Sequence, residues 1–178
     1  GYRIEKGGAP LKENMAAALV MLTNWRKDRP FYDPVCGSGT ICIEAALIGH
    51  NIAPGFNRSF TCETWDWVDP AIFEKVRNEA EAKADYDVEL DICGSDVDGR
   101  MIEVARANAE EVGLGDSITF KQLALKDFTT EKEYGVMVAN PPYGERLGEE
   151  ESVRRLYKEM GHVFRPLTTW SKYILTSD

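Results

Sequence analysis

The chain has 178 residues, of which 43% are hydrophobic, a size and composition that suit one domain with an ordinary core. No stretch approaches the ~20 consecutive apolar residues of a membrane-spanning helix, and the first residues lack a signal-peptide pattern, so we expect no membrane partner. The 30 acidic residues outnumber the 21 basic ones, which gives a formal net charge of −9. This charge has the wrong sign for a general nucleic-acid-binding protein, so a polyanionic partner would need a local basic patch or another domain.

The cysteine and histidine content excludes two further classes of protein. The four cysteines, Cys36, Cys42, Cys62 and Cys93, show no C-x-x-C spacing, and the chain has two histidines. This pattern argues against a disulfide framework and against a zinc site. We therefore expect no bound metal and a reducing, cytoplasmic environment.

The two ends of the chain suggest that it is part of a longer protein. It begins at Gly1 without a methionine, and it ends on "SKYILTSD", an apolar strand pattern. A strand at the end of a chain needs sheet partners from elsewhere. We therefore expect a fragment of a larger molecule.

The first half of the chain shows the pattern of a helix, a strand and two further helices. Pro10 stands at a first helical position. Apolar residues follow it at helical spacing: Leu11, Met15, Ala18, Leu19 and Leu22. The segment "FYDPV" is a short strand that runs into "CGSGT", with a helix from about Thr40 to Ile48. Asp69 and Pro70 form an N-cap and first-turn pair for a helix. Ile72, Val76 and Ala80 lie on one face of that helix.

Strands and helices alternate through the second half as well. The predicted strands are "VELDICGSD", "SITFKQLAL", "GVMVAN" and the final "YILTS". Asp98 starts a helix with Met101, Ile102, Ala105 and Val112 on its apolar face. A last helix carries Val153, Leu156, Tyr157, Met160 and Phe164 before Pro166 ends it. The alternation predicts an α/β fold, a mostly parallel sheet with helices on both faces, which binds ligands at the carboxyl ends of its strands.

A glycine-rich turn, "DPVCGSGT" from Asp33 to Thr40, follows the first strand. Gly37 and Gly39 allow a tight turn and a close approach to a ligand, and the next helix offers unpaired N–H groups. No lysine follows, so a P-loop is excluded, and Cys42 occupies the third glycine position of a dinucleotide fingerprint. A carboxylate beside glycines suits the ammonium and sulfonium end of S-adenosylmethionine. A turn that binds nothing is the alternative.

The second predicted strand ends at an aspartate. Asp96 stands where "VELDICGSD" closes, a position from which a carboxylate can accept two hydrogen bonds from a ribose diol, although a solvated turn aspartate has the same pattern. Asp98 is better explained as the N-cap of the next helix. Glu63 lies nearer the offset expected from a dinucleotide fingerprint, but it sits in the aromatic stretch "SFTCETWDW" and does not follow a strand. Asp96 is therefore the favoured ribose ligand.

The stretch "VMVANPPYGERLG" places an amide and an aromatic ring at the end of a strand. Pro141 and Pro142 stop the sheet, because proline has no backbone donor, and leave Asn140 and Tyr143 at the carboxyl end. An exocyclic base amine is a poor nucleophile, and hydrogen bonds to the Asn140 amide oxygen and the Pro141 carbonyl would hold it. Tyr143 would stack on the base. The chemistry then needs orientation and no strong general base.

These motifs together resemble those of a known enzyme class. The segments "DPVCGSGTICIEAALIG", "GSDVD…A…NA…G" and "NPPYGERLG" resemble class I S-adenosylmethionine-dependent methyltransferases. The segments "APLKENMAAALVML", "NIAPGFNRSF", "ETWDWVD" and "NPPYGERL" are similar to the bacterial large-subunit ribosomal RNA guanine-N2 methyltransferases, which are often catalogued as N6-adenine-specific DNA methylases. The resemblance covers essentially the whole chain.

The resemblance implies a Rossmann-like sheet of seven strands, the last of them antiparallel. Since this chain stops near strand five, we expect the C-terminal strands to be truncated. Family members carry an N-terminal THUMP RNA-binding domain, which is missing here. Residues 1–178 would then be the methyltransferase domain alone, and a separate RNA-binding domain would deliver the ribosomal RNA.

The resemblance also implies the residues of the site. Asp33, Gly37, Ser38 and Gly39 would line the methionine part of the cofactor and Asp96 the ribose. The full set of expected cofactor contacts is Pro10, Leu11, Asp33, Pro34, Cys36, Gly37, Ser38, Gly39, Thr40, Glu44, Asp96, Val97, Ala124 and Asn140. The expected catalytic residues are Asn140, Pro141, Pro142 and Tyr143. Relatives place an acidic residue near the adenine, where this chain has Ala124 and, later, Asp127, so that contact stays open.

The implied reaction is methyl transfer from S-adenosyl-L-methionine to guanine N2 in large-subunit ribosomal RNA. Adenine N6 in DNA or RNA and a protein glutamine amide are alternatives, since each presents a planar nitrogen. A non-catalytic binding module is a further alternative.

Two other features of the sequence have competing explanations. The tryptophans of "ETWDWVD" could stack on bases, but packing beneath a long connection is the favoured explanation. Basic residues follow the catalytic segment: Arg146, Arg154, Arg155, Lys158 and Arg165. They could contact phosphates, although Arg154 and Lys158 would also suit an ordinary solvated helix face.

Overall fold

Five parallel strands form one sheet in the computed structural model, which describes residue 2, residues 11–143 and residues 150–176. The strands are β1 (Phe31–Asp33), β2 (Ile92–Asp96), β3 (Ile118–Gln122), β4 (Val136–Ala139) and β5 (Ser171–Ile174). Their order across the sheet is β3-β2-β1-β4-β5, and every neighbouring pair is parallel. The order reverses between β1 and β4, which is the point where sheets of this kind bind ligands.

Five α-helices accompany the strands in the part of the chain described. They are α1 (Glu13–Leu22), α2 (Thr40–Gly49), α3 (Pro70–Lys83), α4 (Gly99–Glu111) and α5 (Glu150–Phe164). Short 3₁₀ turns cover Thr61–Thr64, Gly115–Ser117 and Leu125–Asp127. None of the helices in the described ranges is long and apolar enough to cross a membrane. The predicted α/β fold with a parallel sheet is confirmed.

The central strands are the most buried part of the sheet. Every residue of β1 and β4 is buried, whereas burial alternates along the edge strand β5. One core cluster joins both strands to α5 and the turn after β3. It consists of Tyr32, Leu125, Met137, Ala139, Met160, Phe164 and Trp170. The ends of β1 and β4 are therefore anchored by packing.

The chain divides into two compact units. The first comprises Gly1–Ala46 and Glu89–Asp178 and contains the whole sheet. The second comprises Leu47–Val88 and contains α3 and the 3₁₀ turn Thr61–Thr64. The candidate site residues that follow the strands all belong to the first unit.

Two helices begin where the sequence predicts. The Asp69 side chain accepts a hydrogen bond from the Ala71 N–H at 2.9 Å, with Pro70 as the first helical residue. The Asp98 side chain accepts one from the Arg100 N–H, also at 2.9 Å. Such caps satisfy N–H groups that have no partner within the helix, so these boundaries are set locally.

Two helices carry apolar residues that the structure leaves exposed. In α1 the buried residues are Ala16 and Val20, while Met15 and Leu22 are exposed, and the helix begins at Glu13. In α3 no residue is buried, and Ile72 and Val76 are more than half exposed. Apolar spacing identified both helices, but it does not specify which side the tertiary structure covers.

The tryptophan pair also differs from expectation. Trp65 and Trp67 are 46% and 78% exposed, so the prediction that they pack beneath a connection is wrong. Their rings stack on each other with centroids 5.1 Å apart. These rings therefore present an aromatic surface to solvent.

Candidate active site

The order of the strands brings three sequence motifs to one edge of the sheet. β1 pairs with β2 on one side, with Asp33 opposite Gly94, and with β4 on the other, with Tyr32 opposite Met137. The glycine-rich turn follows β1, Asp96 ends β2, and Asn140 follows β4. Since parallel strands share their carboxyl edge, the three predicted segments are neighbours there.

The glycine-rich turn needs glycine at two positions. Gly37 and Gly39 have φ angles of +50° and +81°, which other residues rarely adopt. A Cβ on Gly39 would lie 2.8 Å from Phe120 Cζ, whereas a Cβ on Gly37 would have no atom within 4 Å. Gly39 therefore lets the turn approach β3 closely, and Gly37 faces open space.

The α2 helix begins directly after this turn. The Gly39 carbonyl accepts the Ile43 N–H at 2.9 Å, and the hydroxyls of Ser38 and Thr40, both buried, lie 3.3 Å apart. Pro34 is fully buried behind the turn. α2 thus begins just beyond the carboxyl end of β1, and its first N–H groups have no partner within the helix.

Asp96 holds the glycine-rich turn in place. One carboxylate oxygen accepts the Gly37 N–H at 3.0 Å, and the other accepts the Asp98 N–H at 2.9 Å. The sequence predicts a ribose ligand here, and the structure adds a bracing role that the sequence did not reveal. A carboxylate has about four acceptor positions, so capacity for a ligand remains.

Asp33 is a buried carboxyl group at the end of β1. It is 1% exposed, and burial raises its pKa to about 8, with a smaller contribution from the nearby Asp96 carboxylate. The Val35 N–H donates to it at 3.1 Å, which opposes the rise. A cationic ligand group would favour the ionised form of this carboxyl.

A second carboxyl group with a raised pKa lies on α2. Burial raises the pKa of Glu44 to about 7, and the Glu13 carboxylate adds to the rise. The Tyr2 hydroxyl donates to Glu44 at 3.1 Å. Leu11, just before α1, is half-buried, while Pro10 lies outside the described residues.

The expected contacts around an adenine ring lie on the loops after β2 and β3. Val97 is 70% exposed, and its carbonyl accepts the Gln122 side-chain amide at 3.1 Å. Ala124 is half-buried, and its carbonyl accepts the Asp127 N–H at 2.9 Å. Asp127 is itself exposed.

The Asn-Pro-Pro-Tyr segment leaves the sheet as predicted. Asn140 follows β4 directly, Pro141 is fully buried, and Pro142 is exposed. The Tyr143 hydroxyl donates a hydrogen bond to Asn140 Oδ1 at 2.6 Å, and the Tyr143 side chain is 39% exposed. The sequence did not predict this contact between the two polar side chains.

The thiols near the turn are inert structural groups. Burial raises the pKa of Cys36 and of Cys42 well above the ordinary value, so both stay protonated. The Cys36 N–H donates to the Ser95 carbonyl at 2.9 Å, which ties the turn to β2. Among the described residues, no group of three His, Cys, Asp or Glu side chains could hold a metal ion.

Asn108 is a supporting residue that sequence reasoning missed. It is fully buried in α4, and its side-chain amide donates to the Ser38 carbonyl at 3.0 Å. The sequence feature that could have identified it is an amide residue on the apolar face of α4, beside Ala105 and Ala109. A buried polar group of this kind needs a partner, and here the partner is the glycine-rich turn.

Comparison with curated proteins gives relatives over the full length of the chain. It is 63% identical over 178 residues to "Putative RNA methyltransferase YpsC" of Bacillus subtilis (strain 168) and spans 46% of that protein. It is 41% identical over 184 residues to "Ribosomal RNA large subunit methyltransferase K/L" of Shewanella baltica (strain OS185) and spans 26% of it. The chain thus corresponds to half or less of these relatives.

Two solved structures share both fold and sequence with this chain. "SMU.472, a putative methyltransferase complexed with SAH" is 61% identical, with a TM-score of 0.95 over 100% of this chain and 46% of that one. A predicted N6-adenine-specific DNA methylase from Listeria monocytogenes str. 4b F2365 is 65% identical, with a TM-score of 0.95 over 99% of this chain and 47% of that one. The family model described as "RMKL-like, methyltransferase domain" matches residues 1–178, and the chain therefore belongs to the RMKL-like methyltransferase domain family.

Proposed function

We propose that this chain transfers a methyl group from S-adenosylmethionine to an exocyclic base amine, namely guanine N2 in large-subunit ribosomal RNA. The observation that carries the proposal is the pairing of β1 with β4. This pairing sets the glycine-rich turn and the Asn-Pro-Pro-Tyr segment side by side. One edge of the sheet would thus combine a site for the methyl donor with a polar group for an amine.

The residues around the glycine-rich turn fit S-adenosylmethionine. A related protein of the same family was crystallised with SAH, the demethylated form of this cofactor. Gly37 faces open space, and Asp33 offers a carboxyl group that a cationic ligand would ionise. Asp96 retains acceptor capacity for the ribose. When bound, the cofactor supplies a methyl group on a positively charged sulfur.

The remaining expected contacts surround that core of the site. Ser38, Gly39 and Thr40 would approach the methionine part, together with Pro34 and the Cys36 backbone. Glu44 and Leu11 lie at the helices beside it, and Val97 and the Ala124 backbone would flank the adenine. Each of these roles is part of the proposal.

Asn140 would hold the acceptor amine through its side-chain oxygen. That oxygen already accepts the Tyr143 hydroxyl at 2.6 Å, so the amine N–H must replace this bond or share the second lone pair. The Pro141 carbonyl would accept the other N–H, and buried Pro141 keeps the segment rigid. Rate acceleration would come from orientation, which can supply several kcal/mol.

Tyr143 and Pro142 would form the surface on which the target base rests. Both are exposed at the end of β4, and an aromatic ring stacks well on a base that has left its helix. Nothing in this reaction demands a strong general base.

The choice of RNA rests on the names of relatives and on charge. Two relatives are named as RNA methyltransferases, one of them for large-subunit ribosomal RNA. A net charge of −9 disfavours the many phosphate contacts on which binding to duplex DNA rests. We infer that a separate RNA-binding domain of the longer protein delivers the RNA in the cytoplasm.

Adenine N6 is the second candidate, since a related structure is described as an N6-adenine-specific DNA methylase. The Asn140 oxygen would accept an adenine N6, a guanine N2 or a glutamine amide equally well in chemical terms. The choice between these acceptors therefore requires identification of the product.

Product analysis tests the proposal. The full-length natural protein is incubated with labelled S-adenosylmethionine in separate reactions that contain unmodified ribosomal RNA, DNA or a protein substrate, and the labelled product of each digest is identified by mass spectrometry. We expect the label on N2-methylguanosine. Label on N6-methyladenine, on DNA alone or on protein glutamine would overturn the guanine assignment. Absence of transfer to all four acceptors, with cofactor still bound, would favour a non-catalytic binding module.

A further inference from the structure

Residues 56–67, which we call the aromatic segment, present four large rings to solvent. Phe56, Phe60, Trp65 and Trp67 are 43%, 41%, 46% and 78% exposed. Single exposed apolar residues are ordinary on a protein surface, but four large exposed rings within twelve residues make this segment a candidate binding surface. The residues assigned to methyl transfer do not use this segment.

The aromatic segment is held in an ordered conformation by α3. Arg77 donates to the carbonyls of Phe56 at 3.3 Å and Arg58 at 2.8 Å, and its guanidinium pairs with the Glu63 carboxylate at 2.5 Å. Glu63 in turn accepts the Phe60 N–H at 2.8 Å. Rings that are ordered before binding lose less conformational entropy when a partner arrives.

The rings offer flat faces next to a cation. Trp65 and Trp67 stack with an interplanar angle of 23°, and most of the Trp67 side chain stays accessible. The Arg58 guanidinium lies 4.8 Å from the centre of the Phe60 ring. Aromatic faces combined with arginine are the means by which proteins bind single-stranded nucleic acid.

We propose that the aromatic segment binds a single-stranded stretch of the RNA substrate, with Trp65 and Trp67 stacking on unpaired bases and Arg58 near a phosphate. This inference rests on the proposed function, because it takes the substrate to be RNA. Unpaired bases fit because a duplex hides the faces of its bases.

Tryptophan fluorescence provides a direct test with the full-length natural protein. A single-stranded 12-nucleotide RNA should quench the emission, and a duplex RNA of the same length should quench it much less. Trp67→Ala should weaken single-strand binding about 10-fold, and Trp67→Phe should keep most of the affinity because a stacking face remains. Tyr86→Ala is the matched control, since Tyr86 is a 54% exposed aromatic residue of the same unit outside the segment. It should bind like the parent.

Methylation kinetics with the same variants separate this surface from the reacting groups. Trp67→Ala should raise KM for RNA while kcat and cofactor affinity stay at the parent values. Parent-like RNA affinity in Trp67→Ala, or an equal loss in Tyr86→Ala, would overturn the inference. Loss of a protein partner with intact RNA binding would assign the surface to protein and also overturn it. If no RNA is methylated but Trp67-dependent RNA binding persists, the proposed function fails and the binding surface stands.

Discussion

Asn140 and Tyr143 form a hydrogen-bonded pair at the end of β4. The bond from the tyrosine hydroxyl to Asn140 Oδ1, at 2.6 Å, fixes the orientation of the amide before any substrate arrives. It occupies one lone pair of the oxygen that is proposed to accept the target amine. A substrate N–H of similar donor strength can take this position at little net cost, since one hydrogen bond replaces another.

Removal of the Asn140 amide should affect transfer and spare the cofactor. We expect Asn140→Ala to lower the methylation rate by at least ~10²-fold, because orientation of the amine is lost while the glycine-rich turn is unchanged. Single-turnover transfer to unmodified ribosomal RNA measures the rate, and calorimetry measures cofactor binding. Asn78→Ala, which removes an exposed amide on α3, serves as the control. Full turnover in Asn140→Ala would contradict the assigned role.

Asp33 should make the stability of the protein depend on pH. Its folded pKa of about 8 lies above the ordinary value of 3.8. Between these pH values the folded protein keeps a proton that the unfolded chain has lost. Its contribution to stability is therefore complete below about pH 4 and is lost as the pH rises toward 8.

Asp33→Asn removes this titrating group. Comparison of the variant with the parent should therefore reveal how the group makes stability depend on pH. The free energy of unfolding of the variant, relative to the parent, should rise by more than ~1 kcal/mol between pH 4 and pH 8. Urea unfolding at both pH values measures it, and Asp28→Asn, an exposed carboxylate, is the control. A constant difference between variant and parent would show that Asp33 is ionised throughout.

The glycine-rich turn depends on close contact with β3 and α4. At Gly39 an added Cβ would lie 2.8 Å from Phe120 and 3.0 Å from Ala105, in addition to the cost of a positive φ. Gly113, which follows α4, has a similar φ of +73° but no atom within 4 Å of an added Cβ. A comparison of substitutions at the two positions therefore separates the cost of steric overlap from the cost of backbone strain.

Substitution at these glycines should give unequal losses of stability. We expect Gly113→Ala to cost about 1 kcal/mol through backbone strain. Gly39→Ala should cost roughly 2–4 kcal/mol, because overpacking is added, and should also abolish cofactor binding. Denaturant unfolding and calorimetry give both quantities. Equal costs at the two positions would show that the packing around Gly39 adapts.

The helix α5 presents basic side chains on one exposed face. Arg154 and Lys158 are one turn apart, and Arg165 follows at the same helical phase just beyond the helix end. Arg155 pairs weakly with Glu151 at 4.0 Å, and Arg146 lies outside the described residues. Because α5 follows the Asn-Pro-Pro-Tyr segment in the chain, we expect this face to contact RNA phosphates.

Neutralising this face should weaken RNA binding and its salt dependence. Arg154→Gln with Lys158→Gln should lower the slope of log affinity against log salt by about 1–2, one for each lost phosphate contact. The matched control is Arg26→Gln with Lys27→Gln, two exposed residues that precede β1 at the opposite end of the strands. Filter binding across a series of salt concentrations measures the RNA affinity of both double variants. The hypothesis fails if the two lose affinity equally.

The charge of the whole chain implies that RNA affinity comes largely from elsewhere. A net charge of −9 repels a polyanion at long range, so the few cations on α5 cannot by themselves give tight binding. The chain spans 46% of one relative and 26% of another, so a longer protein can carry a further RNA-binding unit.

A comparison of the full-length natural protein with the 178-residue chain tests whether most of the RNA affinity comes from outside this chain. At ~150 mM salt, the full-length natural protein should bind ribosomal RNA at least ~10-fold more tightly than the 178-residue chain, while cofactor affinity is similar. Equal RNA affinities would place recognition within this chain.

Local patterns predicted the strands, the starts of α2, α3 and α4, and the main site motifs. Pro141 stops the sheet after β4 because proline cannot continue a ladder, and Asp69 and Asp98 cap helices through bonds to residues two positions away. The site residues could be identified because they cluster at strand ends, where parallel sheets bind ligands. Their identities therefore followed from short-range chemistry.

Long-range contacts determined what these patterns could not. The bracing of Gly37 by Asp96, the bond from Asn108 to Ser38, and the raised pKa of Asp33 all arise from residues or burial distant in sequence. Exposure of Trp65, Trp67 and the apolar residues of α3 was equally unpredictable, since apolar spacing marks a helix but not what covers it. The sequence alone determined the fold class and the motifs, because turns, caps and alternation are encoded within a few residues. Only the tertiary structure decided which distant groups form hydrogen bonds and which side chains are buried or exposed, because both depend on strand order and packing.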